Sequence, residues 1–304
     1  MSHIQSWAYI PPLDSPFPDD GELDFLRSQT GIENIQELKQ HVSEIQAEAY
    51  KIYPYPCIRG FDFLKARILR IPAYTQALNL LKGSSDAIYL EVGACFGVDV
   101  RKVHADGVPA DNIVATELFT ELWEIGHKLF KSTQATFPIT FIPGDLFDEA
   151  FLSSQFQVLS QPRPDLPARS ITSLSPLRGN VSVIHISYVF HVLSKERQII
   201  LVHKLASLLS PAPGSMILGC QLGANQEGHH VFFQDRSEAA RLAGGITSFC
   251  YTEESWRRLW EGAFPAGTVQ VNTHLDTGDT AGVISSLGEA SEEEGVLVWS
   301  VTRL

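Results

Sequence analysis

The sequence predicts an α/β protein built on a doubly wound parallel sheet, and three observations carry that expectation. From residue 86 onward, short apolar runs alternate with segments of helical spacing. Most of these runs end near a glycine or an acid. The first of them opens into a glycine-spaced turn, Ala87 to Gly97, A-I-Y-L-E-V-G-A-C-F-G. Strands alternating with helices in this way place a ligand at the carboxyl ends of the strands.

Residues 1–22, rich in proline and acid, read as an extended or disordered arm. Leu23 and Leu26 suggest a helical turn broken near Gly31. Ile32, Ile35, Leu38, Val42, Ile45 and Ala49 then recur at helical spacing, giving an amphipathic helix to about Tyr50 whose apolar stripe needs a partner. Tyr53 to Leu64, Y-P-Y-P-C-I-R-G-F-D-F-L, contains two X-Pro steps that favour extended chain. Its aromatics and Arg59 suit either a pocket mouth or packing of a cap on the core, and Arg59 suits a pair with an acidic acceptor or, more simply, a surface ion pair. Pro72 to Leu81 is a further helix. Residues 1–85 thus form an N-terminal arm and helical cap, and 86–304 the main domain.

Ile88 to Leu90 is the first buried strand. Glycine admits positive φ and close approach of a ligand to the backbone, and the helix that follows, Val98 to Ala105, begins with free N–H groups. Asn112 to Thr116 is a second strand closing on Glu117, twenty residues beyond Gly97 and close to the offset at which nucleotide-binding units place a ribose-gripping carboxylate. Leu118 to Lys131 returns as a helix. Phe137 to Ile142 is a third strand ending in P-G-D-L-F-D, so Glu91, Glu117 and Asp145 converge at successive strand ends. Each acid has an ordinary alternative as a helix cap or solvated turn.

Residues 151–180, rich in proline and serine, read as a lid or disorder. Val181 to Ser187 is the fourth strand, running into Y-V-F-H-V-L. Ser194 caps the next helix, and Ser215 to Gln221 is the fifth strand. Leu222 to Gly245 is polar, with His229 and His230, and suits a segment closing over a substrate. Thr252 caps the helix Glu253 to Trp260. Thr268 to His274 and Gly295 to Thr302 are the last strands. His185, among apolar neighbours, reads as core. His229 and His230 have no third ligand at metal spacing, so no metal is assigned.

The 304 residues, 44% hydrophobic and 19% charged, suit a globular protein, and the net charge of −12 disfavours nucleic-acid and anionic-membrane partners. The four cysteines form no C-x-x-C pair and suggest a reducing compartment. The start carries no signal-peptide pattern and no run approaches a membrane span, so a cytoplasmic location and a small-molecule partner are expected. The pattern carries no signal of oligomeric state.

The spacing E-x-G-x-x-x-G from Glu91 resembles the first motif of class I S-adenosylmethionine (SAM) methyltransferases, whereas the dinucleotide pattern G-x-G-x-x-G is missing, with Cys95 in place of a middle glycine. Four pieces, Y-P-C-I-R-G-F-D-F-L, E-V-G-A-C-F-G-V-D-V-R-K, Y-V-F-H-V-L and P-G-S-M-I-L-G-C-Q, together resemble small fungal methyltransferases of meroterpenoid and other secondary-metabolite pathways. The resemblance implies a Rossmann-like, seven-stranded, mostly parallel sheet under an N-terminal helical cap, with the last two strands paired at one edge. It implies S-adenosyl-L-methionine as cofactor and O-methylation of a carboxyl or phenolic hydroxyl. By position, Gly93 and Gly97 admit the methionine end, Glu91 holds the loop or the amino group, Glu117 binds the ribose diol, and Asp145 accepts from the adenine amino group while Leu146 and Phe147 pack on its ring. His191, after the fourth strand, falls beside the expected methyl position as base or orienting group, with a structural role as its alternative. A cyclase or isomerase on the same fold, and a non-catalytic scaffold, are the competing readings.

Overall fold

The computed structural model describes residues 20–154, 171–232, 246–277 and 293–304. Most of the proline-rich arm, the centre of the 151–180 stretch, the end of the 222–245 segment and residues 278–292 lie outside them.

The strands are β1 (Tyr89–Val92), β2 (Ile113–Thr116), β3 (Thr140–Phe141), β4 (Val183–Ile186), β5 (Met216–Ala224), β6 (Gly228–Phe232), β7 (Ile246–Cys250), β8 (Val269–Asp276) and β9 (Glu294–Arg303). Seven form one sheet in the order β3-β2-β1-β4-β5-β9-β8, and β6 and β7 form a separate antiparallel pair. The first five sheet strands run parallel, while β9 lies antiparallel between β5 and β8. The expected seven-stranded, mostly parallel sheet with its terminal pair is therefore present. Its order reverses between β1 and β4, and such a switch point opens a ligand crevice at the carboxyl ends of the strands.

The helices are α1 (Asp20–Thr30), α2 (Ile35–Ile52), α3 (Pro56–Arg59), α4 (Tyr74–Gly83), α5 (Val98–Ala105), α6 (Thr120–Leu129), α7 (Lys195–Leu208) and α8 (Glu253–Gly262). Their ends follow from the residues there. Gly31, at φ +68, follows the last residue of α1 in a left-handed conformation that costs glycine little. The Asn34 side chain accepts from the N–H groups of Gln36 and Glu37 to start α2. Ser194 caps α7, and Thr252 with Ser255 forms a reciprocal capping box on α8. None of the described helices is long and apolar enough to cross a membrane.

Alternation along β1 feeds both faces of the sheet, with Leu90 and Val92 entering one core cluster and Tyr89 the other. A third cluster joins the cap to the turn after β1 and to α6. Leu26, Leu38, Val42, Ile45 and Ala49 from α1 and α2 pack with Phe96, Leu122, Ile125, Leu129 and Phe130. The partner that the stripe of α2 requires is α6, and His41 Nε2 meets the Leu129 carbonyl at 2.8 Å beside it.

Two expectations change. The segment after the fifth strand is not a polar closing loop throughout: β5 runs on to Ala224, and Gly228–Phe232 folds as β6 against β7. There, burial alternates from His229 to Phe232, which a composition-based reading passes over. Arg59 is buried at 5% exposure, not a surface residue. The carbonyls of Ile58 and Arg59 accept from the Gln46 side chain, which fixes this turn against α2.

Candidate active site

At the carboxyl end of β1 the chain turns through Gly93 (φ +74), Cys95 (φ +49) and Gly97 (φ +77) before α5 begins. Three left-handed residues within five are costly for side-chain-bearing amino acids, and two of the three are glycine. The structure gives a second reason for those glycines. A Cβ on Gly93 would lie 2.5 Å from a methyl of Val189, and one on Gly97 2.8 Å from the Trp123 ring. The missing side chains let the loop after β4 and helix α6 close directly on the glycine turn.

Glu117, at the end of β2, ties into that turn. One carboxylate oxygen accepts from the Cys95 N–H at 2.9 Å, and the other from the N–H groups of Leu118 at 2.8 Å and Phe119 at 3.2 Å. The side chain is 9% exposed, and burial raises its pKa against the lowering effect of those three donors. A carboxylate oxygen accepts more than one hydrogen bond, so this arrangement leaves acceptor capacity for ligand hydroxyls. The cap reaches the same place. The Tyr53 ring lies 3.8 Å from the Phe119 ring, centroid to centroid, and Tyr55 lies 6.5 Å from it. Both phenols are pushed above their ordinary pKa by burial, with the Glu117 charge adding to the effect.

Glu91 is placed differently from Glu117. Its side chain accepts from the Tyr89 hydroxyl and from His185 Nδ1, at 2.8 and 2.9 Å for its two oxygens. Among the described residues it makes no hydrogen bond to the glycine turn. His185 Nε2 in turn meets the Ser187 hydroxyl at 2.8 Å, and that hydroxyl accepts from the Cys220 N–H at 3.2 Å. A polar chain therefore crosses the sheet from β1 through β4 to β5. Burial works against a charged His185, yet the neighbouring Glu91 carboxylate outweighs it and the imidazole pKa is raised. Asp99, on α5, completes the group: atoms of Glu91, Asp99 and His185 able to bind a proton or a metal all lie within 4.8 Å of one another. Burial pushes the Asp99 carboxyl up to about 6 even though it accepts from the Ile68 N–H at 2.8 Å.

Asp145 is exposed beyond β3, and its side chain accepts from the Phe147 N–H at 2.9 Å. The Gly144 N–H donates to the Glu117 carbonyl at 3.0 Å, bringing this turn beside the end of β2. Leu146 and Phe147 are half-buried against the core, and the Arg197 guanidinium lies 4.4 Å over the Phe147 ring.

After β4 the loop is pinned by Phe190, whose ring meets Trp256 edge-on at 5.0 Å and Trp299 at 6.0 Å. Tyr188 takes a left-handed φ of +57 and donates its N–H to the Cys220 carbonyl at 2.8 Å. His191 meets the Tyr188 ring edge-to-face at 5.7 Å. Its Nδ1 is buried without a hydrogen-bond partner among the described residues, and burial pushes the imidazole pKa down to about 4. His191 is thus neutral at ordinary pH. It suits hydrogen bonding better than strong general-base work.

Of the residues expected at the site, Gly93, Gly97 and Glu117 are brought together, and Asp145, Leu146 and Phe147 lie on the adjoining turn. Glu91 is committed to the network beneath. The reading from sequence missed that network, although Tyr89/Glu91 and His185/Ser187 are same-face pairs on strands whose register puts Glu91 opposite His185. The pairing of β1 with β4, which no local pattern specifies, was the missing information.

Residues 8–64 match a family model described as the meroterpenoid methyltransferase N-terminal domain. The O-methyltransferase atr3 of Stereocaulon alpinum is 29% identical over 272 residues, covering 88% of this chain and 68% of its own length. The Asnovolin E/Chermesin D methyltransferase nvfJ of Aspergillus novofumigatus is 28% identical over 74% of this chain and 70% of its own. Among solved structures, an S-adenosylmethionine dependent methyltransferase from Mesorhizobium loti aligns with a TM-score of 0.44 at 13% identity, over 78% of this chain and 100% of that one. The fold assignment rests on the strand order.

Proposed function

We propose that this chain, similar to fungal secondary-metabolite methyltransferases, transfers a methyl group from S-adenosyl-L-methionine to a carboxyl or phenolic oxygen of a small secondary metabolite. The observation that carries this reading is the left-handed glycine turn held to the Glu117 carboxylate at adjacent strand ends, beside the point where the strand order reverses.

The residues present fit the cofactor. Glu117 takes the ribose hydroxyls, and the turn through Gly93 and Gly97 carries the backbone past the methionine half. Glu91 acts on that half through the Tyr89–Glu91–His185 network. Asp145 takes the adenine amino group, with Leu146 and Phe147 against the ring. When bound, the cofactor supplies a methyl group activated on a sulfonium. The chain contributes chiefly alignment, which supplies much of the acceleration in a displacement between two held reactants. His191 is the catalytic candidate at the acceptor. Its neutral imidazole orients an acceptor oxygen by a hydrogen bond, and an acceptor already ionised as a carboxylate needs no base. In this reading residues 1–85 are the cap and 86–304 the cofactor-binding domain, and Tyr53 and Tyr55 bring the cap to Phe119 beside Glu117.

Incubation with S-adenosyl-L-methionine and a panel of small aromatic acids and phenols, followed by mass spectrometry, tests the reaction. Methyl esters or methyl ethers are the expected products. Turnover of the acceptor with no methyl gained contradicts the proposal.

A further inference from the structure

The cap delivers a cation to the loop after β4. Arg67 lies in a single 3₁₀ turn, Arg67–Arg70, and is 7% exposed. Its Nη2 sits 3.0 Å from Asp62 Oδ1, an oxygen that Lys65 Nζ also approaches to 3.0 Å. Two cations thus approach one carboxylate oxygen at the base of the cap. The guanidinium carbon stands 5.0 Å from the centre of the Tyr188 ring, the same ring against which His191 packs.

Arg67 Nη1 and His191 Nδ1 are both buried and without a hydrogen-bond partner among the described residues. A buried donor with no acceptor is costly, and a guanidinium more so than a neutral group. Two such nitrogens around one left-handed tyrosine mark a place built for an oxygen ligand. The guanidinium fork matches a carboxylate.

We propose that Arg67, from the cap, binds a ligand carboxylate at the Tyr188 ring. This rests on the methyltransferase reading, under which either the methionine half of the cofactor or an acidic acceptor brings that group. Arg67 therefore makes the cap a part of the binding site as well as its cover. Its effect is exerted on binding, not on the reacting bond.

Calorimetric titration of the full chain and of Arg67→Gln and Arg67→Lys separates the sources. The probes are S-adenosylhomocysteine, 5′-methylthioadenosine, which lacks the amino-acid half, and salicylate. In Arg67→Gln, a loss of tenfold or more for S-adenosylhomocysteine with methylthioadenosine unchanged assigns the cofactor carboxylate. Unchanged binding of both nucleosides with a similar loss for salicylate assigns the acceptor. Arg67→Lys, which keeps the charge but not the fork, is expected to fall between. Wild-type affinity of Arg67→Gln for all three probes overturns the inference, and so does equal weakening of the two nucleosides, which marks general damage to the site. Failure of the wild-type chain to bind either nucleoside overturns the methyltransferase reading instead.

Discussion

Glu117 is a buried carboxyl and Asp99 a half-buried one, both with raised pKa, but they do different work. Glu117 accepts three backbone N–H groups and holds the glycine turn, so removing it unties the turn and removes the proposed ribose ligand together. Asp99 accepts one, from Ile68, and Asn keeps that acceptor. A carboxyl whose folded pKa is raised contributes stability below its unfolded pKa and loses it as pH rises through the folded value. For Asp99 that window runs from the ordinary carboxyl value of 3.8 to about 6. Asp99→Asn is therefore expected to be more stable than wild type in urea at pH 7, with the gain vanishing toward pH 4. An equal difference at both pH values contradicts this account of Asp99. His191 has the opposite sign. Its folded pKa is lowered to about 4, so the unfolded chain binds the proton first and stability falls on acidification from 6.5 toward 4. His191→Asn should lower kcat without moving any limb of the pH–rate profile between 5 and 8. A limb near neutrality that the substitution abolishes would make His191 a general base.

At the level of elements, the sequence made strands and helices legible where periodicity and punctuation agree. Helix α5 is found at Val98–Ala105 as expected, and Ser194 and Thr252 cap the helices they were expected to cap. Removing the Thr252 cap by Thr252→Ala should cost about 1 kcal/mol in urea denaturation. What sequence did not reveal was set by contacts between elements. The β6–β7 pair joins segments on either side of residues 233–245, and Phe190 is fixed by tryptophans from α8 and β9. The glycines of the first turn were legible as glycines, but the reason was not fully so, because Val189 and Trp123 come from distant parts of the chain. Gly97→Ala combines a positive φ with a contact of 2.8 Å to Trp123, and should destabilise by about 1–3 kcal/mol. Wild-type stability in that variant would show that Trp123 is not packed as described.

Across the whole molecule, the cap and the helices of the main domain share one cluster running from Leu26 and Leu38 to Leu129 and Phe130. Leu38→Ala, at a fully buried position, is expected to cost about 2–5 kcal/mol and to lower the stability of cap and sheet together in a single transition. Two separable transitions would contradict a shared core. The same closeness places Tyr53 and Tyr55 beside Phe119 and Arg67 beside Tyr188, so cap residues stand next to the strand-end loops of the proposed site. The central claim is that the strand ends holding the glycine turn and Glu117 form a SAM site. Calorimetric titration of the wild-type chain, Glu117→Ala and Asp145→Ala with S-adenosylhomocysteine tests it most directly. Saturable binding by the wild type, weakened tenfold or more by Glu117→Ala and less by the exposed Asp145→Ala, is the predicted result. Wild-type chain that does not bind, or Glu117→Ala that binds as tightly as wild type, contradicts it.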